Sequence, residues 1–228
     1  GALHVEVPEG KSVQNNTLSL FGSLSFVKDG AGTFDARKGD QDYTGGTEVT
    51  AGTLTQIAGT SADTTYSPEV FHAFGPVGSP IVVRTGATFD MRGLRNLYNY
   101  PITLDGGKLY NAGDLGSPDS GWLSIGNLSL TADSTLQAEN RTIIRGGPLN
   151  FNDHTLTVPL KVGSYIFVGG GTTYVGPGKF DLTSGGWFDV YGGVTEARDV
   201  DFRINGALRL WGTLNVHGFE MVYGNGDY

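Results

Sequence analysis

The chain has 228 residues, 37 of them glycine and none of them cysteine, which excludes disulfide staples, zinc–cysteine or iron–sulfur sites and a cysteine nucleophile. Lys and Arg number 15 against 23 Asp and Glu, a net charge of −8, so nucleic acid and anionic membrane surfaces are disfavoured partners. No run approaches the roughly 20 consecutive apolar residues of a membrane-spanning helix.

Only 17% of residues are charged, and the abundance of Gly, Thr, Asn, Tyr and Phe suits short strands joined by tight turns. In chain order, apolar residues recur at period two over Leu18 to Phe21, Leu24 to Val27, Thr53 to Ile57, Ile81 to Arg84 and Ala87 to Met91. The rhythm continues through Lys108 to Tyr110, Leu128 to Leu130, Thr135 to Gln137, Thr142 to Ile144 and Leu156 to Val158. It runs on through Tyr165 to Val168, Lys179 to Leu182, Trp187 to Tyr191, Asp201 to Ile204, Ala207 to Leu210 and Thr213 to Val216. Turn residues close each run, so about twenty short strands are predicted, which restricts an all-β chain to a sandwich, barrel, propeller or solenoid.

Several runs share one form, a glycine followed by a small residue and an apolar–polar alternation: Gly32-Thr33-Phe34-Asp35, Gly52-Thr53-Leu54-Thr55, Gly86-Ala87-Thr88-Phe89, Gly178-Lys179-Phe180-Asp181 and Gly212-Thr213-Leu214-Asn215. Gly32 and Gly52 are 20 residues apart, and Gly52 and Gly86 are 34 apart, as are Gly178 and Gly212. Such intervals fit stacked coils, each turning Leu, Val, Ile or Phe inward onto the next. Residues 1–228 are read as one β-solenoid, with a β-sandwich in the C-terminal half as the alternative. The chain opens without a basic and apolar leader, so a secretion signal is absent or already removed. The Gly-Asn-Gly turn composition near Tyr228 suggests a piece of a longer protein.

Residues 24–54 resemble the autotransporter-associated β-strand repeat, also called the passenger-associated transport repeat. Lys28, Gly30, Gly32, Thr33, Tyr43, Thr44, Gly45, Gly46, Thr47, Val49, Gly52, Thr53 and Leu54 match its pattern in order and spacing, with Phe34 in place of the usual Leu. Residues 73–93 are similar to the strand pair that follows the repeat. The resemblance implies a right-handed parallel β-helix in a secreted or surface-displayed passenger; it does not by itself imply a catalytic activity, since the family includes adhesins and stalks as well as enzymes. Beyond residue 110 only the general Gly-rich rhythm persists.

Catalysis on polysaccharide would need two carboxylates on adjacent coils. Asp181 with Asp189, and Asp199 with Asp201, are the candidate pairs, whereas solvated strand faces account for them more simply. Asp119-Ser120-Gly121 matches the tripeptide of acid proteases, in which two aspartates share one proton. A turn ahead of Trp122 accounts for that match more simply. His4, His72, His154 and His217 are widely spaced and outside any metal-binding pattern, so no metal is expected. Gly169-Gly170-Gly171 lacks the lysine of a phosphate loop, and no cofactor is expected.

Flat aromatic rings in a Gly- and Asn-rich setting commonly hold sugars. Tyr98, Tyr100, Trp122, Trp187, Tyr191 and Trp211 are the candidate ligand-binding residues, and filling of the interior is the competing explanation. The expected function is a non-catalytic stalk or adhesin that meets glycans or glycoproteins such as mucin outside the cell. A hydrolase using paired aspartates is the alternative. Open solenoid ends would favour weak self-association.

Overall fold

The computed structural model describes residues 1–36, 41–56, 72–91, 96–111, 123–139, 141–144, 146–161, 164–169 and 171–222, with residues 96, 98, 123 and 222 described by backbone alone. Among the described residues there is no helix, and accordingly none long and apolar enough to cross a membrane.

The strands in chain order begin with β1 (Ala2–Glu6), β2 (Ser12–Gln14), β3 (Phe21–Gly22), β4 (Ser25–Asp29), β5 (Thr33–Asp35), β6 (Asp42–Tyr43), β7 (Thr47–Val49) and β8 (Thr53–Thr55). Then come β9 (Ile81–Arg84), β10 (Thr88–Asp90), β11 (Asn96–Asp105), β12 (Lys108–Asn111), β13 (Leu123–Ala132), β14 (Ser134–Ala138), β15 (Thr142–Ile144) and β16 (Pro148–Asn150). The last are β17 (Thr155–Val158), β18 (Tyr165–Gly169), β19 (Thr173–Leu182), β20 (Trp187–Tyr191), β21 (Val194–Asn205), β22 (Ala207–Leu210), β23 (Thr213–Asn215) and β24 (Gly218–Val222).

Every strand pairs in parallel with a strand of the preceding or following coil, which defines a β-solenoid. One face stacks β1, β4, β7, β9, the later parts of β11 and β13, then β16, the first parts of β19 and β21, and β23. A second face stacks β2, β5, β8, β10, β12, β14, β17, the later parts of β19 and β21, and β24. The third runs from the opening parts of β11 and β13 through β15, β18 and β20 to β22, with β3 and β6 paired in earlier coils.

The parallel arrangement follows from the corners. Gly52 has φ +64°, and a Cβ there would run into the carbonyl oxygens of Gly32 and Gly30. Only glycine accepts both the left-handed backbone and the close approach of the coil below. The chain therefore turns away from its own sequence neighbour and pairs about one coil later.

Inward residues then stack in register. On the second face Phe34, Leu54, Phe89, Leu109 and Leu136 form one buried row, and Leu156, Phe180 and Phe202 form another. The third face contributes Leu97, Ile125, Ile144, Val168 and Val190. Each such side chain contributes roughly 1.5–3 kcal/mol on burial. Aromatic neighbours reinforce the stacking, as where the rings of Phe180 and Phe202 lie 5.2 Å apart at 28°.

The sandwich alternative for the C-terminal half is corrected by these pairings. Strands β15 to β24 continue the same parallel stacks, because their apolar rows meet one coil away and not across a second sheet. The period-two runs also leave out β11, which contains Pro101. The ladder to β13 shifts register between Leu97 and Pro101, so the proline's missing N–H falls where the ladder is interrupted.

Candidate functional site

The outward side of the third face carries an ordered aromatic array. Period two places Tyr165, Phe167 and Gly169 of β18 on one side, and Trp187, Asp189 and Tyr191 of β20 lie directly over them. On β22, Ala207 and Arg209 lie over Trp187 and Asp189. The next outward residue, Trp211, is held by its backbone N–H donating to the Val190 carbonyl at 2.8 Å. Trp187 is 40% exposed, Tyr191 63% and Trp211 54%.

Asp189 organises the centre of this array. Its carboxylate is fully buried, a placement that is costly unless the charge is paired. Arg209 supplies the partner through Nε to Oδ1 at 2.7 Å and Nη2 to Oδ2. The two bonds hold the guanidinium upright, 4.0 Å from the centre of the Trp187 ring and 5.0 Å from that of Trp211. The Asp189 hydrogen bonds also push the Arg209 pKa further up.

Other rings extend the surface. Tyr165 and Trp187 stack across the coils at 6.4 Å and 14°, while Tyr165 meets Phe167 edge-on at 4.5 Å and lies beneath Arg141 at 4.8 Å. Tyr191 and Trp211 approach edge-on at 6.0 Å. Trp187, Tyr191 and Trp211 are thus brought together with four residues that sequence reasoning did not single out: Arg141, Tyr165, Phe167 and Arg209. The signal for them is the coil offset, since Tyr165 and Trp187 are 22 residues apart and Asp189 and Arg209 are 20 apart.

The remaining candidate aromatics are placed differently. Tyr100 is fully buried and its hydroxyl donates to the Gly75 carbonyl at 2.9 Å, so it belongs to the core and not to a surface. Tyr98 is described by backbone alone, and Trp122 and Asp119 lie outside the described residues.

The candidate carboxylates are distributed over the solenoid and each faces a cation or a histidine. Asp181 is on the second face between Lys179 at 3.5 Å and Arg203 at 3.3 Å, away from Asp189 on the third. Asp199 and Asp201 flank the His217 ring at 4.0 and 3.6 Å. Among the described residues no group of three or more His, Asp or Glu side chains is arranged to hold a metal ion. A shallow groove on the second face is lined by Thr33, Thr53, Thr55, Thr88, Asp90, Lys108 and Tyr110.

Comparison of the chain with models of known families, with curated proteins and with solved structures finds no match. The fold and this surface define a parallel β-solenoid that carries an exposed, in-register aromatic face. Several of the repeat-like residues have architectural places within it. Lys28 is buried, the Tyr43 hydroxyl lies 2.6 Å from Thr47 Oγ1, and a Cβ on Gly30, Gly32, Gly45 or Gly52 would strike backbone of a neighbouring segment.

Proposed function

We propose that the protein is a non-catalytic β-solenoid segment of a secreted or surface-displayed passenger, serving as a stalk whose third face binds glycans. The observation that carries this reading is the exposed array of Trp187, Tyr191 and Trp211 held in register around Arg209. Large rings with one apolar face and a polar edge suit sugars, whose rings have the same division. A surface of exposed aromatic residues is a feature that a ligand or partner would cover. The pairing of Asp181, Asp189, Asp199 and Asp201 with cations or a histidine favours binding over turnover. The resemblance of residues 24–54 to the autotransporter-associated repeat is the support for the passenger assignment and, through it, for an extracellular location.

The test is incubation of the purified chain with mucin and with a panel of neutral and acidic oligosaccharides, following tryptophan fluorescence and released reducing ends. Saturable quenching without release is the expected result, with affinity reduced about tenfold or more in Trp187→Ala or Trp211→Ala, a loss of about 1.4 kcal/mol or more. Release of fragments that disappears in Asp181→Asn or Asp201→Asn would establish a hydrolase instead.

A further inference from the structure

Resting on the glycan-binding reading, we infer that Arg209 is the specificity-determining residue of the aromatic face. The guanidinium edge that Asp189 leaves free donates to two adjacent hydroxyl oxygens of one sugar, and Asp189 is the residue that positions it. A guanidinium is planar and carries its N–H donors along separate edges. The Asp189 carboxylate occupies one of them, the edge formed by Nε and Nη2. The hydrogens of Nη1 and the second hydrogen of Nη2 remain and form a further fork at the tip of the side chain. Among the described residues nothing else accepts a hydrogen bond from Arg209. The Asp189 side chain is 0% exposed and that of Arg209 is 35% exposed, so the engaged edge lies inward and the free edge lies toward solvent.

The same guanidinium lies over the Trp187 ring at 4.0 Å and over the Trp211 ring at 5.0 Å. Two rings against it and two bonds to a buried carboxylate fix the head group before any ligand arrives, which lowers the ordering cost of binding. A planar fork of donors matches two acceptor oxygens held side by side. Neighbouring hydroxyls of a pyranose present such oxygens next to a C–H face, and the exposed parts of Trp187 and Trp211 offer apolar surface to that face. A neutral sugar suits the fork better than a sugar acid. The Arg209 charge is already matched by Asp189, and a ligand carboxylate would set two anions on one cation. Lysine could not replace Arg209 here, because an ammonium is a point charge without a planar fork.

The experiment is calorimetric titration of the 228-residue chain with cellohexaose, maltohexaose and mannohexaose, and with trigalacturonate and sialyllactose, in wild type, Arg209→Lys, Asp189→Asn and Trp211→Ala. Near-ultraviolet circular dichroism of each free protein reports whether the tryptophans keep their surroundings. Arg209→Lys keeps a cation beside Asp189 and removes the fork, so it tests the donors alone and keeps the test valid should Asp189→Asn not fold. The expected result is binding of at least one neutral hexasaccharide, weakened about tenfold or more by Arg209→Lys, about 1.4 kcal/mol, with the tryptophan dichroism of the free variant unchanged. Asp189→Asn is expected to weaken the same binding and to alter that dichroism, since the guanidinium is no longer held. Binding retained within about threefold by Arg209→Lys but lost in Trp211→Ala overturns the fork and leaves the glycan-binding reading standing. Loss of both binding and dichroism in Arg209→Lys shows that Arg209 only supports the rings, and overturns its role in specificity. Tighter binding of either acidic sugar than of every neutral one overturns the hydroxyl assignment. Absence of binding by wild type to every sugar removes the glycan-binding reading itself, and the fork with it.

Discussion

Lys28 occupies an inward position between Val5 and Val49 on the first face, where a charged residue is least expected. Its ammonium donates to the carbonyls of Asp29 at 2.9 Å, Gly30 at 2.6 Å and Ala51 at 2.9 Å, satisfying the acceptors of two successive corners at once. Burial lowers its pKa, opposed by the charge of Asp29. Lys28→Met keeps the length and removes the donors, and should cost about 2–3 kcal/mol, read as a lower urea midpoint at unchanged slope. Beside it, the Asp29 carboxyl is held below its usual 3.8 by the Thr50 hydroxyl first and by His4 second. A carboxylate depressed in the folded state stabilises above its unfolded pKa, and the contribution is lost as pH falls through the folded value. The stability gap between wild type and Asp29→Asn should therefore narrow as the pH drops below 3.8, which urea melts across the acid range will measure. The sequence pattern marks Lys28 as part of a motif. Its three carbonyl partners come from two coils, and no reading of one coil reveals them.

At the scale of elements, alternation marks many of the strands that have one face buried and the other wet, although it passes over β1 and β7, which alternate in the same way. The strands at Lys108, Thr135, Thr155 and Trp187 begin within a residue or so of where period two places them. Longer elements were harder, because β11, β13, β19 and β21 each round a corner and contribute to two faces. An apolar–polar rhythm loses its phase at such a bend. Rows of stacked side chains predict a gradient of mutational cost. Phe180 is fully enclosed between the Leu156 and Phe202 coils, so Phe180→Ala should cost about 3–5 kcal/mol. Phe219 continues the same row but is 42% exposed, so Phe219→Ala should cost much less. Thermal unfolding of the two variants side by side tests the difference.

Among the described residues the strands form a one-dimensional stack in which each coil pairs with the coils beside it. Stability in such an array is a sum of coil and nearest-neighbour terms, so coils with two neighbours are held more firmly than those with one. Amide hydrogen exchange of this chain should be slowest in β12, β14, β17 and β18 and faster by orders of magnitude in β1, β2, β23 and β24. Uniform protection from end to end would show that unfolding is cooperative across the entire stack. The aromatic array belongs to this scale as well. Its residues are dispersed from Arg141 to Trp211 and meet because four coils stack in register.

The sequence by itself determined the solenoid, since glycine corners and period-two rows of Leu, Ile, Val and Phe admit few other ways to bury an apolar face in a long chain of short strands. It also marked Trp187, Tyr191 and Trp211 as ring-bearing positions in polar surroundings. Only the tertiary structure decided that these three stand outside while Tyr100 stands inside, and that Asp189 is buried and bonded to Arg209. Strand alternation states that two residues lie on opposite sides, but which side faces the core, and which residue lies one coil above, depends on a register set by packing over the full stack.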